Sequence, residues 1–253
     1  MRRKLVVGNW KMHGNLAENE ALLKSLIVQV GGLAGVDIAV CAPFPYLAQL
    51  QSLLGRTAIA WGAQNLSHRR GGAFTGEVSG AMLTDFGCRY VIVGHSERRA
   101  LYGENDALVA DKFIAARSVG LTPILCVGET LEERGSGLTE AVVARQLDAV
   151  IAHAGIAEFH NAVIAYEPVW AIGTGQTATP EQAQAVHAFI RSRIGGHDSP
   201  LAEVLSILYG GSVKAGNAAQ LCSLPDVDGG LVGGASLSAD EFAGICRGAQ
   251  STA

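Results

Sequence analysis

Aromatic residues are scarce in this sequence, 6% of 253, and charged residues make up only 17%. A chain that stays disordered needs high charge and little apolar content, and 49% hydrophobic residues exclude that class and supply a sizeable core. Cysteine is sparse and odd in number. Cys41, Cys88, Cys126, Cys222 and Cys246 are widely separated and form no CxxC pair, so neither a disulfide framework nor a clustered metal or redox motif is expected. Reduced thiols, and hence a cytoplasmic setting, fit this usage. An excess of positive charge is also missing. Nineteen Lys and Arg against 23 Asp and Glu leave a formal net charge of -4, which argues against a nucleic-acid partner. No apolar stretch approaches the ~18 residues of a membrane span, and Leu5-Val6-Val7 is too short for a secretory segment, so neither membrane insertion nor export is expected.

What is abundant is glycine, with 32 residues, together with short apolar runs. Eight such runs begin near Lys4, Asp37, Ala58, Tyr90, Thr122, Ala162, Leu205 and Gly229. They are continuous rather than alternating, as in parallel strands covered on both faces. The spacing leaves room for a helix between successive strands. Leu22, Leu23, Leu26, Ile27 and Val30 form one helical stripe, and Val142, Val143, Leu147, Val150 and Ile151 another. Thr179-Pro180-Glu181-Gln182 and Ser238 with Glu241 read as capping boxes, while Gly87 and Gly120 suit helix ends. Eight βα units without a linker or a change of composition predict an α/β fold with one domain over residues 1–253. The expected architecture is a closed (β/α)8 barrel of eight parallel strands surrounded by helices.

Function in such a barrel belongs to the C-terminal ends of the strands. The candidates there are Asn9 and Lys11, Gln64 and Asn65, His95, Ser96 and Glu97, Glu129, and Glu167. Strands 7 and 8 end in Gly210-Gly211-Ser212 and Gly233-Gly234-Ala235-Ser236. Backbone N–H groups bared by these glycines are suited to a phosphate, so an anionic small substrate is expected, although a single Gly-Gly pair would equally be a turn.

Glu167 precedes Pro168, which restricts it to an extended conformation. It reads as a general base whose pKa burial would raise, or as a strand-end carboxylate paired with a cation. His95 stands before Ser96-Glu97-Arg98-Arg99, at a helix start that disfavours positive charge. It reads as a neutral hydrogen-bond donor to a substrate oxygen, or as a structural histidine. Lys11 is a candidate cation beside a developing oxyanion, or a surface lysine bridged to Glu97. The segment from Pro168 to Ala178 is apolar yet glycine-containing, as a hinged lid would be. Trp170 and Ile172 are expected to be exposed unless closure buries them, and a static surface loop is the alternative.

Gly8-Asn9-Trp10-Lys11-Met12, His95-Ser96-Glu97-Arg98-Arg99, Ala165 to Gly175 and Tyr209-Gly210-Gly211-Ser212 together resemble the triosephosphate isomerase family along the whole chain. The resemblance implies a TIM barrel and an isomerase acting on a small phosphorylated triose, without metal or organic cofactor. It implies Glu167 as the proton shuttle, His95 as the neutral carbonyl polariser, and Lys11 and Asn9 as the remaining polar groups. Gly173, Ser212, Gly233 and Gly234 would hold the phosphate by their backbones, Glu97 would orient Lys11, and Tyr209 with Ser212 would latch the closed loop. Gly72 to Glu77 resembles the loop by which these enzymes form homodimers, placing Thr75 near the partner's site. Gln176 stands where many relatives carry Lys, which leaves the catalytic assignment untouched. Cys126 is expected to act in packing. A Schiff-base aldolase using Lys11, or a non-catalytic sugar-phosphate-binding barrel, remain alternatives.

Overall fold

The structure is a computed structural model that describes residues 2–173 and 177–250. Eight strands alternate with helices: β1 Lys4–Asn9, β2 Val36–Ala42, β3 Ile59–Ala63, β4 Tyr90–Val93, β5 Thr122–Val127, β6 Val163–Tyr166, β7 Ser206–Tyr209 and β8 Gly229–Val232. Each pairs in parallel with the next, and β8 pairs with β1 through Leu5↔Gly229 to Gly8↔Val232, so the sheet closes into a ring. The eight apolar runs of the sequence are these eight strands.

The pleat divides their side chains into two cores. Leu5, Val7, Ala39, Cys41, Tyr90, Ile92, Ile124, Cys126, Val163, Ala165, Leu208 and Leu231 fill the barrel interior. The intervening positions, among them Val6, Val40, Val93, Leu125, Ile164 and Ile207, face outward and pack with the helices. Helix Leu16–Val30 buries Leu23, Leu26 and Val30, and helix Thr139–Ala154 buries Val142, Val143, Leu147, Val150 and Ile151, as their periodicity requires. Each fully buried Leu or Ile contributes roughly 2 kcal/mol.

Helix starts follow the sequence signals, with one exception. Thr179 and Gln182 form the reciprocal capping box of helix Pro180–Gly195. Ser238 does accept the Glu241 N–H, but the Glu241 carboxylate turns instead to the Ala215 amide, 3.4 Å away, joining two neighbouring helices. Gly87 and Gly120 adopt positive φ, 67° and 82°. At the N-terminal end of the ring, buried Asp228 accepts from Arg2 (2.7 Å), Arg191 (2.6 Å) and the Ile207 amide (3.0 Å), tying β1, β7 and β8 together far from the strands' C-terminal ends. Among the described residues no helix is long and apolar enough to cross a membrane.

Candidate active site

Side-chain parity carries the chemistry inward. Leu5 and Val7 point into the barrel, so Asn9 continues that set; Val163 and Ala165 do the same, and Glu167 follows. In β4 the alternation ends at Gly94, whose φ of +69° swings the chain into helix Ser96–Tyr102; a Cβ there would lie 2.8 Å from Val109. His95 becomes the first cap of that helix. Its Nδ1 accepts the Glu97 N–H at 3.2 Å, which leaves Nε2 to carry the proton of the neutral ring.

That Nε2 lies 2.9 Å from Glu167 Oε1, and Glu167 Oε2 accepts the Ser96 N–H at 2.9 Å. Glu167 is 2% exposed. Burial alone would raise its pKa, as the sequence suggested, but His95, the Ser96 amide and the Cys126 thiol favour the carboxylate and hold it below the usual value. Burial likewise pulls His95 down, yet the facing Glu167 raises it on balance. The carboxylate of Glu167 thus acts on the imidazole against burial and the helix start. Cys126 packs beside Glu167 and favours its carboxylate, while burial together with that carboxylate holds its own thiol protonated.

Lys11 has φ of 50°, the one positive value at a non-glycine residue among those described. Its carbonyl accepts from Gln64 Nε2 (2.9 Å), which also donates to Cys41 O (3.0 Å), and its N–H donates to Asn9 Oδ1 (3.0 Å). Its ammonium meets Glu97 at 2.5 Å. Gln64 thus works behind the site by fixing Lys11. Asn65 lies further away, accepting from buried Lys112 (2.7 Å) in a cluster with Glu104 and Arg98.

A cavity of 560 Å³ brings together Asn9, Lys11, His95, Glu167, Gly173, Ser212, Gly233 and Gly234, the eight substrate-contacting candidates of the sequence. Glu97 stands behind Lys11. Tyr209 is buried under the β7 loop, and burial pushes its hydroxyl up to about 12 against the Ala178 backbone, which pulls it down. Glu129 is fully buried outside the cavity, accepting from Tyr166 Oη (3.0 Å), Trp170 Nε1 (3.0 Å) and Arg134 (3.1 Å). Trp170 is half-buried there beneath the Arg134 guanidinium, 4.7 Å from its ring, rather than exposed. Of the expected lid, Thr174, Gly175 and Gln176 lie outside the described residues. The sequence reading missed Lys214 and Asn217, which also line the cavity. Lys214 follows Ser212-Val213 and was legible as the next polar side chain after the glycine turn of β7.

Residues 4–249 match the triosephosphate isomerase family. The chain belongs to that family. It is 68% identical to the triosephosphate isomerase of Thiobacillus denitrificans over 249 residues, 98% of this chain and 99% of the relative. It is 60% identical to those of Nitrosomonas eutropha, with 99% of each covered, and Nitrosococcus oceani, with 98% of this chain and all of the relative covered. This triosephosphate isomerase match runs through every site motif and favours neither alternative. The engagement of Lys11 with Glu97 also disfavours a Schiff base, which needs a free amine.

Proposed function

We propose that the chain interconverts dihydroxyacetone phosphate and D-glyceraldehyde 3-phosphate through an enediolate, with Glu167 as the base and His95 as the hydrogen-bond donor. The observation that supports this best is the 2.9 Å contact between Glu167 Oε1 and His95 Nε2 on the wall of a cavity that the glycines of β7 and β8 complete. The substrate phosphate binds the backbone amides of Gly173, Ser212, Gly233 and Gly234. Its carbonyl oxygen takes the place of the carboxylate at Nε2. Parted from His95, Glu167 loses a partner that stabilised its charge, and burial then raises its basicity where it faces the C1 proton. Glu167 removes that proton as the C–H electrons form the C1=C2 bond and the carbonyl π electrons move onto O2; His95 Nε2 gives its proton to O2 and regains one from the O1 hydroxyl, and as the C1=O1 bond forms the C=C electrons take the proton back from Glu167 at C2. Meanwhile the Glu97 amide at Nδ1 keeps Nε2–H as the donating tautomer. The Lys11 ammonium and Asn9 stabilise the oxyanion, with Glu97 positioning Lys11. Tyr209 and Ser212 hold the loop after β6 when substrate is bound.

The same reading makes residues 1–253 one domain, since β1 and β8 pair across the ring. It also makes the protein a cytoplasmic homodimer. Free thiols support the compartment. A second cavity of 530 Å³ beside the site is bordered by exposed Met12, Leu101 and Tyr102 and shares Asn9, Lys11 and His95. The loop around Thr75, turned by Gly72 (φ 120°) and Gly76 (φ 93°) and carrying exposed Phe74, is the segment proposed to fill the partner's copy of it.

A coupled isomerisation assay with sedimentation of the same preparation tests both readings. The protein is expected to interconvert the two triose phosphates as a dimer. Glu167→Asp is expected to lose about 10²-fold in kcat with KM within a few fold, because the shorter arm withdraws the carboxylate by about 1 Å. No isomerisation, or near-parental turnover in the variant, contradicts the assignment; a monomer at micromolar concentration contradicts the dimer.

A further inference from the structure

Lys214 lines the same cavity as Glu167, His95 and Lys11. It is exposed, directly before helix Ala215–Cys222, and its side chain meets no carboxylate among the described residues. Its backbone is fixed to the glycine loop: the Lys214 N–H donates to Asn217 Oδ1 (2.8 Å), and Asn217 Nδ2 donates to Ser212 O (3.1 Å). Lys214 and Ser212 are therefore held in register on one short loop.

The charges of the site make this cation consequential. Lys11 is matched by Glu97 at 2.5 Å, and the Glu167 carboxylate is stabilised by its neighbours. Among the described residues Lys214 is thus a cation of the cavity lining that no carboxylate matches, within a chain of formal net charge -4. A phosphate monoester carrying nearly two negative charges at neutral pH would be drawn to such an unmatched cation. We infer that Lys214 is the electrostatic guide of this site, a specificity-determining residue that draws phosphorylated substrates toward the Ser212 loop before the backbone amides take hold. The inference rests on the proposed reading of the cavity as a triose phosphate site. An exposed charge at a rim acts on association more than on the chemical step, and its influence fades as salt screens it.

The test measures kcat and kcat/KM for D-glyceraldehyde 3-phosphate across ionic strength, for the parent, Lys214→Ala, Lys214→Glu and Lys214→Arg. At about 10 mM ionic strength kcat/KM is expected to fall roughly three- to tenfold in Lys214→Ala and further in Lys214→Glu, while Lys214→Arg stays within about twofold of the parent. The loss in kcat should be smaller than that in kcat/KM, and the gap should close at high salt. Unphosphorylated D-glyceraldehyde should lose less than the phosphorylated substrate. A Lys214→Ala protein with the parental kcat/KM and salt slope overturns the inference, as does a loss that salt leaves untouched. If the parent fails to isomerise triose phosphates, the functional reading falls by itself. Calorimetric titration with inorganic phosphate then decides Lys214: weaker, salt-dependent binding in Lys214→Ala supports the guide, and equal affinity overturns it.

Discussion

Gly210 and Glu167 share one volume: a Cβ on residue 210 would stand 2.9 Å from Glu167 Cγ and 3.0 Å from Tyr166 O. The glycine after β7 therefore leaves room for the base on the neighbouring strand, while its own amide donates to Tyr166 O at 2.7 Å. Gly210→Ala forces the carboxylate or the β6 backbone aside. The expected result is a loss of about 1–3 kcal/mol in stability, as for other overpacked sites, and of about 10²-fold in kcat. Urea denaturation and steady-state kinetics on the variant check both; unchanged kcat would show that Glu167 tolerates displacement.

Lys11 keeps a left-handed backbone because Gln64 holds its carbonyl. Gln64→Ala removes both side-chain bonds, to Lys11 O and Cys41 O, and frees the strained residue to relax. Stability is expected to fall by about 1–3 kcal/mol and kcat/KM by about 10- to 100-fold. An unaltered thermal midpoint with unaltered kinetics would mean that strand geometry alone fixes Lys11.

His187 is fully buried, with Nδ1 donating to Asp226 O at 3.2 Å and Nε2 unpartnered. Burial is the largest influence and lowers its pKa from 6.5 to about 4. Between those values the unfolded chain binds a proton that the folded protein refuses, so stability falls as pH drops from about 6.5 toward 4. The full span is worth about 3 kcal/mol. His95 acts in the opposite sense and in another window, its contribution being complete below 6.5 and fading as pH rises through its raised folded value. Denaturation profiles of the parent and His187→Gln between pH 4 and 7 separate the first effect. Parallel profiles would remove His187 as its source.

Glu104 and Lys112 are both buried and meet at 2.5 Å, with Arg98 on the same carboxylate oxygen. Burial opposes ionisation of Glu104, but the hydrogen bonds from Lys112 and Arg98 win and hold its pKa below the usual 4.5. Its contribution is thus present above pH 4.5 and lost as pH falls through the lowered value. Glu104→Gln leaves a buried ammonium uncompensated and is expected to cost about 3–5 kcal/mol at pH 7, measured by urea denaturation. Lys112→Met in the same background should recover part of that loss. Additive losses would show that the two residues are not coupled.

The strands, their order and the placement of Asn9 and Glu167 at the C-terminal ends of strands were legible in the sequence because apolar runs and the polar residues that end them are local properties. Gly94, which turns His95 into the cavity, was visible only as a glycine at a strand end. The route by which Gln64 restrains Lys11 joins a side chain to a backbone carbonyl 53 positions away, and no pattern along the chain encodes it. Glu129 looked like another carboxylate at a strand end. Tyr166, Trp170 and Arg134 surround it instead and make it an anchor for the segment after β6.

Sequence by itself determined the eightfold alternation, the closed parallel sheet and the identity of the groups at its rim, since periodicity, capping and glycine placement act over a few residues. Tertiary structure decided the directions in which their pKa values move. A carboxylate buried alone becomes a weaker acid, whereas this one meets His95, the Ser96 amide and the Cys126 thiol from two other strands and becomes a stronger one. The sign of that balance depends on which distant donors the barrel brings within hydrogen-bonding reach, and only closure of the ring sets those distances.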